Sequence, residues 1–213
     1  MNLLHQSMHN CLHPFILVGN RICIDFANTA FCYKREAGQL YTFQDILAFY
    51  ETTSILTKEE SKYYQKLKLK DSSPLEDAFS QIVSFRSVII SILEKIFTQR
   101  SVSNKEIQII NHVLKSYEGY YKLQRSKQEY ILKYELSNPS MENLLVPAAY
   151  SLSQFMQNDD FSLFKRCANP ECGIFYYDVS PQKNRIWCSS KVCGNRAKAR
   201  SFSQKKKQII HNH

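Results

Sequence analysis

Glycine is scarce in this chain, with 5 residues in 213 against 13 Phe and 13 Tyr. That balance excludes collagen-like or glycine-rich flexible architectures. It argues for a packed interior, because disordered chains are depleted in aromatics. Long hydrophobic runs are also missing: no stretch approaches the roughly 18 consecutive apolar residues of a membrane span. The opening MNLLHQSMHNCLHPFILVG has neither a basic start nor a small-residue cleavage site. The expectation is a cytoplasmic chain with no membrane partner. Phosphate loops and nucleophile elbows are absent as well, so no catalytic residue is assigned and the chain is read as a non-enzyme. A further absence is acidic: no Asp or Glu follows Asp178.

That last gap locates the charge. From Lys165 to the end, 11 Lys and Arg stand against Glu171 and Asp178, which accounts for the whole formal charge of +9. The preceding 164 residues hold 17 basic and 17 acidic side chains and are neutral. Two regions with different electrostatic roles follow.

Before the basic region the pattern is mainly helical. Residues 1–12 read as an extension. Phe15 to Val18 reads as a short strand, Gly19-Asn20 as a turn, and Arg21 to Thr29 as a strand or a helix start. Apolar spacing predicts helices over Phe43 to Thr53, Glu59 to Leu69 behind a Thr57/Glu60 capping box, and Leu75 to Gln99 behind Pro74. A Ser103/Glu106 capping box opens another to Lys115, and Met141 to Met156 reads as a helix kinked at Pro147. Gly119 to Lys127 and Glu129 to Leu136 resemble a hairpin. The predicted fold class is α+β: a mainly helical domain with a short β element over 13–160, then a cysteine-rich domain with a basic helix over 161–208.

The chain has seven cysteines. Cys11, Cys23 and Cys32 read as small buried hydrophobes, whereas Cys167, Cys172, Cys188 and Cys193 form two C-x4-C pairs separated by 15 residues. Four thiolates make a closed tetrahedral shell about 2.3 Å from Zn²⁺, the structural type with no open position. One structural Zn²⁺ is therefore expected. The spacer suits a hairpin, Ile174 to Tyr177 returning as Arg185 to Trp187, after which Ser189-Ser190 offers an N-cap that puts Cys193 in a first helical turn. That order is treble-clef-like. Zinc is the expected staple because about 45 residues bury little core.

After the last cysteine, GNRAKARSFSQKKK is cationic on two helical faces. Nucleic acid is the simplest partner. Arg185, Arg196 and Arg200 suit phosphate or guanine contact, and Lys191, Lys198, Lys205, Lys206 and Lys207 suit phosphate. Asn195 can read adenine or bond the backbone beside the metal. Asp25 and Asn28, polar residues in an apolar run, either orient a helix or contact a ligand. The i, i+4 spacing of His5, His9 and His13 reads as accidental in a tail.

The run Arg166 to Arg200, with RCANPECG, WCS and CGNRAKAR, resembles the CGNR zinc finger, whose tetrapeptide stands here as Cys193-Gly194-Asn195-Arg196. Ile22 to Thr29, ICIDFANT, resembles the signature of the ABATE domain that accompanies it. The resemblance implies a bacterial DNA-binding transcription regulator with a stress- or ligand-responsive N-terminal domain. It brings an unknown small-molecule effector and pairing with a second copy into view as partners. The alternatives are an RNA-binding or ribosome-associated zinc protein, and an N-terminal domain that converts a small molecule.

Overall fold

The computed structural model describes residues 15–31, 39–70, 75–116, 118–126, 129–137 and 140–211. His5, His9, His13, Cys11, Cys32 and the extension 1–12 lie outside them. Over the described residues the chain is mostly helical with two small antiparallel sheets.

By its contacts the chain divides into Leu40–Asn158 and a second unit drawn from both ends, Met1–Gln39 with Asp159–His213. Composition and charge place one boundary near residue 160. They leave the segment before Leu40 with the helices that follow it, whereas hydrogen bonds spanning some 150 residues tie that segment to the cysteine-rich end.

The unit Leu40–Asn158 contains α2 (Phe43–Thr52), α3 (Lys58–Lys70), α4 (Leu75–Phe97), α5 (Asn104–Lys115) and α6 (Val146–Asn158), plus the hairpin β1 (Gly119–Ser126) and β2 (Glu129–Leu136). Its interior is apolar: Ile46, Leu47 and Phe49 of α2, Ile89, Ile92 and Leu93 of α4, and Ala148, Leu152 and Phe155 of α6 are fully buried. The buried Tyr50 hydroxyl is satisfied by donating to the Leu144 carbonyl. Capping is reciprocal at α2, α3 and α5. Thr42 with Asp45, Thr57 with Glu60 and Ser103 with Glu106 each exchange side-chain and backbone bonds, worth about 1 kcal/mol apiece.

Pro147 does not kink a helix. Met141–Leu145 forms a 3-10 turn and α6 begins at Val146, so Pro147 sits in the first turn, where a missing N–H costs nothing. In the hairpin the register pairs Tyr121 with Tyr134 and Leu123 with Leu132.

The second unit is built on α1 (Ile22–Asn28), β3 (Phe164–Arg166), β4 (Phe175–Tyr177), a π-helical turn Ser190–Gly194 and α7 (Asn195–His211). Of the two readings left open for Arg21 to Thr29 the helix holds, from Ile22, whereas Phe15 to Val18 is not the expected strand. The sheet pairs β4 with the preceding β3, Phe164 opposite Tyr177 and Arg166 opposite Phe175, and not with Arg185 to Trp187. The later segment instead bonds the first cysteine turn, accepting the Ala168 amide at the Ile186 carbonyl at 2.9 Å.

The segment around α1 closes the free edge of β4. The Tyr177 amide donates to the Gly19 carbonyl at 3.0 Å, and the Asn20 side chain donates to the Tyr177 carbonyl at 2.8 Å. Asn28 accepts from the Phe175 amide at 2.9 Å and donates to the Phe175 carbonyl at 2.8 Å, behaving as one more strand residue. Arg21 grips Asp159 at 2.5 Å while lying 4.4 Å from the centre of the Tyr177 ring.

Asp25, buried in this turn, accepts from the Gly19 amide at 2.7 Å. A Cβ on Gly19 would stand 2.7 Å from the Ile24 side chain and 2.9 Å from the Asp25 amide nitrogen, so the tight turn requires glycine. Burial pushes the Asp25 carboxyl up to about 6, against the pull of the Gly19 and Val18 amides. The native state therefore binds this proton more tightly than the unfolded chain. The protonated form carries no penalty below about pH 4, and the cost of ionisation grows as pH rises toward 6 and then levels off. Asp25→Asn is expected to stabilise the zinc-loaded protein by roughly 2–3 kcal/mol at pH 7.5 and by about half that at pH 5. Paired denaturation curves at both pH values measure this. A constant difference between the two proteins would sink the assignment.

Candidate metal centre and basic helix

β3 ends at Arg166, and the chain then turns tightly through Cys167 to Cys172. The Cys167 amide donates to the Ile174 carbonyl and the Cys172 amide to the Asn169 carbonyl, each at 2.9 Å. Gly173 completes the turn at φ +72, where a side chain would be strained, and a Cβ there would stand 3.0 Å from the Phe31 ring. The second pair is delivered differently. Ser189 caps the π turn by accepting from the Val192 amide at 3.3 Å, and the Cys193 and Gly194 amides bond back to the Ser189 carbonyl. Cys193 lies in this π turn, just before α7.

The four sulfurs lie within 4.8 Å of one another and all four residues are buried. Cys172 and Cys188 are 3.6 Å apart at Sγ, and Cys188 and Cys193 are 3.7 Å apart. A tetrahedron with metal–sulfur bonds of about 2.3 Å has sulfurs about 3.8 Å apart, so the spacing fits an enclosed ion and is far too long for a disulfide.

Protons cannot satisfy this arrangement evenly. A hydrogen bond from Cys188 holds the Cys172 thiol down to about 6, while the Cys188 thiol itself is driven up by that same bond, by burial and by its neighbours' charge. Burial pushes Cys193 up to about 11. One thiolate forms readily and the next ones are opposed, unless a cation lies among them. Residues Cys167, Cys172, Cys188 and Cys193 are thus suited to hold Zn²⁺, which here would supply a structural bond set and no reaction. Val18 and Phe31 from the N-terminal segment pack against this cluster, as does Trp187.

Residues 164–206 match the CGNR zinc finger. The finger therefore spans β3, β4, the four cysteines and α7 as far as residue 206. No curated protein matches the chain.

Asp178 holds the finger's long loop. Its carboxylate accepts from Lys165 Nζ at 2.7 Å, from the Ser180 hydroxyl at 2.6 Å and from the Arg185 amide at 2.9 Å. Burial opposes the charge, but these donors prevail and keep the acid well below the ordinary carboxylate range. The spacing of charges in the sequence does not announce this role.

The basic residues divide into two groups. Arg185 is turned into the finger: its guanidinium donates to the Trp187 and Cys188 carbonyls and lies 4.5 Å from the centre of the Tyr176 ring. Arg200 donates to Asn169 at 2.5 Å and lies 3.7 Å from the Glu171 carboxylate. Lys191, Asn195 and Lys198 are exposed, and Arg196 is half-buried. Lys205, Lys206 and Lys207 fall on the α7 backbone, and their side chains lie outside the described residues. Asp25 and Asn28, the candidate ligand contacts, both bond within the protein.

Metal removal should collapse more than the finger. Chelation is expected to release α1 as well, because Val18 and Phe31 rest on the cysteine cluster and Asn28 on Phe175. Amide NMR shifts of Ile22–Asn28 should move together with those of β3 and β4. Shifts in α1 that stay fixed after the metal is gone would refute this dependence.

Proposed function

We propose that the chain is a transcription regulator whose zinc finger, treble-clef-like in arrangement, binds DNA through α7 and the turn before it. The observation that carries this reading is the concentration of the whole net charge of +9 from Lys165 onward, with Lys191, Asn195 and Lys198 exposed together around the start of α7.

No acid within α7 or after it neutralises these cations, and cations that meet DNA phosphates gain affinity by releasing the counterions condensed there. The arginines that brace the finger leave lysines as its outward charge, which suits backbone contact more than base reading. In this reading the metal is structural, the protein works in the cytoplasm, and the N-terminal region over 13–160 answers a ligand, in keeping with the likeness of Ile22 to Thr29 to the ABATE signature. Among the described residues no helix is long and apolar enough to cross a membrane.

Fluorescence anisotropy with a mixed-sequence duplex tests the proposal. Affinity should fall steeply between about 50 and about 200 mM salt, and Lys191→Ala and Lys198→Ala should each weaken binding several-fold and lower the salt slope by about 0.9. Tighter binding to structured RNA at the same salt would transfer the assignment to RNA. Salt-independent binding, or none, would remove nucleic acid altogether.

A further inference from the structure

Asn169 lies between Cys167 and Cys172 and is 1% exposed. Its side-chain amide joins the two halves of the metal centre. Nδ2 donates to Cys193 Sγ at 3.6 Å, reaching from the first cysteine pair to the second. Oδ1 accepts from Arg200 at 2.5 Å and from the Glu171 amide at 3.4 Å. Arg200 thus fixes which end of the amide faces the sulfur: a guanidinium can only donate, so the oxygen must face Arg200 and the nitrogen must face Cys193.

Arg200 is anchored by weak means for a cation. Its close acceptor is a neutral amide oxygen, and its carboxylate neighbour Glu171 is 3.7 Å away with a side chain 74% exposed. The Arg200 side chain is itself 40% exposed and stands on the same helix as Lys198. A phosphate oxygen is a charged acceptor, and charge-assisted bonds are about twice as strong as those to neutral acceptors. A phosphate chain lying along α7 therefore competes directly with Asn169 for this guanidinium.

We infer that Arg200 is a latch: through Asn169 it holds the Cys193 thiolate on the metal, and a phosphate-bearing polyanion on α7 opens it. Asn169 and Arg200 are positioning residues, neither of them a ligand. With the latch closed, the N–H bond draws charge from the sulfur and slows its loss to a competing chelator. With Arg200 drawn to phosphate, the amide oxygen keeps only the long bond from the Glu171 amide, the amide turns more readily and Cys193 exchanges faster. Partners that orient a metal ligand commonly change metal affinity about 10- to 100-fold. The polyanion arm of this inference rests on the nucleic-acid reading of α7, and the latch itself does not.

The experiment measures zinc transfer from the full-length loaded protein to a chromophoric chelator, with inorganic polyphosphate as probe. Arg200→Gln should speed release on the order of tenfold. Arg200→Lys should stay near the wild-type rate, because lysine still donates to Oδ1. Lys115→Gln, the same charge change at an exposed position of α5, should leave the rate unaltered, and Asn169→Ala should match Arg200→Gln. In the cobalt-substituted proteins the sulfur-to-metal charge-transfer band should shift in both fast variants and not in Lys115→Gln, a readout that loss of packing alone does not produce. Polyphosphate should accelerate release from the wild type several-fold and leave Arg200→Gln unchanged. Equal rates for Arg200→Gln and Lys115→Gln overturn the latch. A wild-type rate indifferent to polyphosphate overturns its opening by anions. If polyphosphate accelerates release while duplex DNA neither binds nor accelerates it, the latch stands and the DNA reading falls.

Discussion

Four buried thiols within 4.8 Å of one another are an unstable arrangement without a cation. Each added thiolate meets the charge of the others in a medium that screens poorly, and the opposite shifts at Cys172 and Cys188 express that conflict. The unit has few other means of holding this geometry. β3 and β4 are three residues each, and a two-stranded sheet of that length is not stable by itself. The turn through Gly173, the cap at Ser189 and the start of α7 all converge on the sulfurs. The cysteine cluster, with the cation it calls for, is the constraint from which these elements take their positions.

That constraint extends to the other end of the chain. β4 leaves an edge that the finger does not cover, and the segment Gly19–Asn28 covers it with backbone and amide bonds. Val18 and Phe31 add apolar contact with the cysteine cluster. The octapeptide Ile22 to Thr29 therefore has a physical task in this chain: Asn28 imitates a strand residue and Asp25 holds the turn that aims it. Burying Asp25 costs stability at neutral pH, and the cost is offset by the bonds that the turn makes possible.

What the sequence makes legible is local. Thr57 with Glu60 and Ser103 with Glu106 sit three residues apart and declare their helices. The C-x4-C pairs declare the candidate ligand set because metal geometry needs little more than spacing and residue type. The pairing of β4 is not legible in the same way. Phe164 to Arg166 is a three-residue strand carrying two cations, and nothing local separates it from Arg185 to Trp187 as a partner; the tight cysteine turn decides by bringing β3 back first. Asn28 and Phe175 are 147 residues apart, a relation that no periodicity encodes. Pro147 shows the opposite failure, a local rule applied at the wrong helical position.

The arginines show the same limit where function is concerned. Arg185 and Arg200 look from sequence like the natural contacts for an anion, since arginine binds phosphate and guanine with two parallel bonds. The fold uses those same donors inward, on the Trp187 and Cys188 carbonyls and on Asn169. A planar fork with several donors is well suited to satisfying two carbonyls at once, as Arg185 does at Trp187 and Cys188, a geometry that a single ammonium does not match. Lys165 also works inward, on the Asp178 carboxylate, while Lys191 and Lys198 stay at the surface, where a flexible point charge meets phosphate without demanding geometry. The cations are thus divided between bracing and outward roles, and Arg200, half exposed and bound to a neutral acceptor, stands at the boundary between the two.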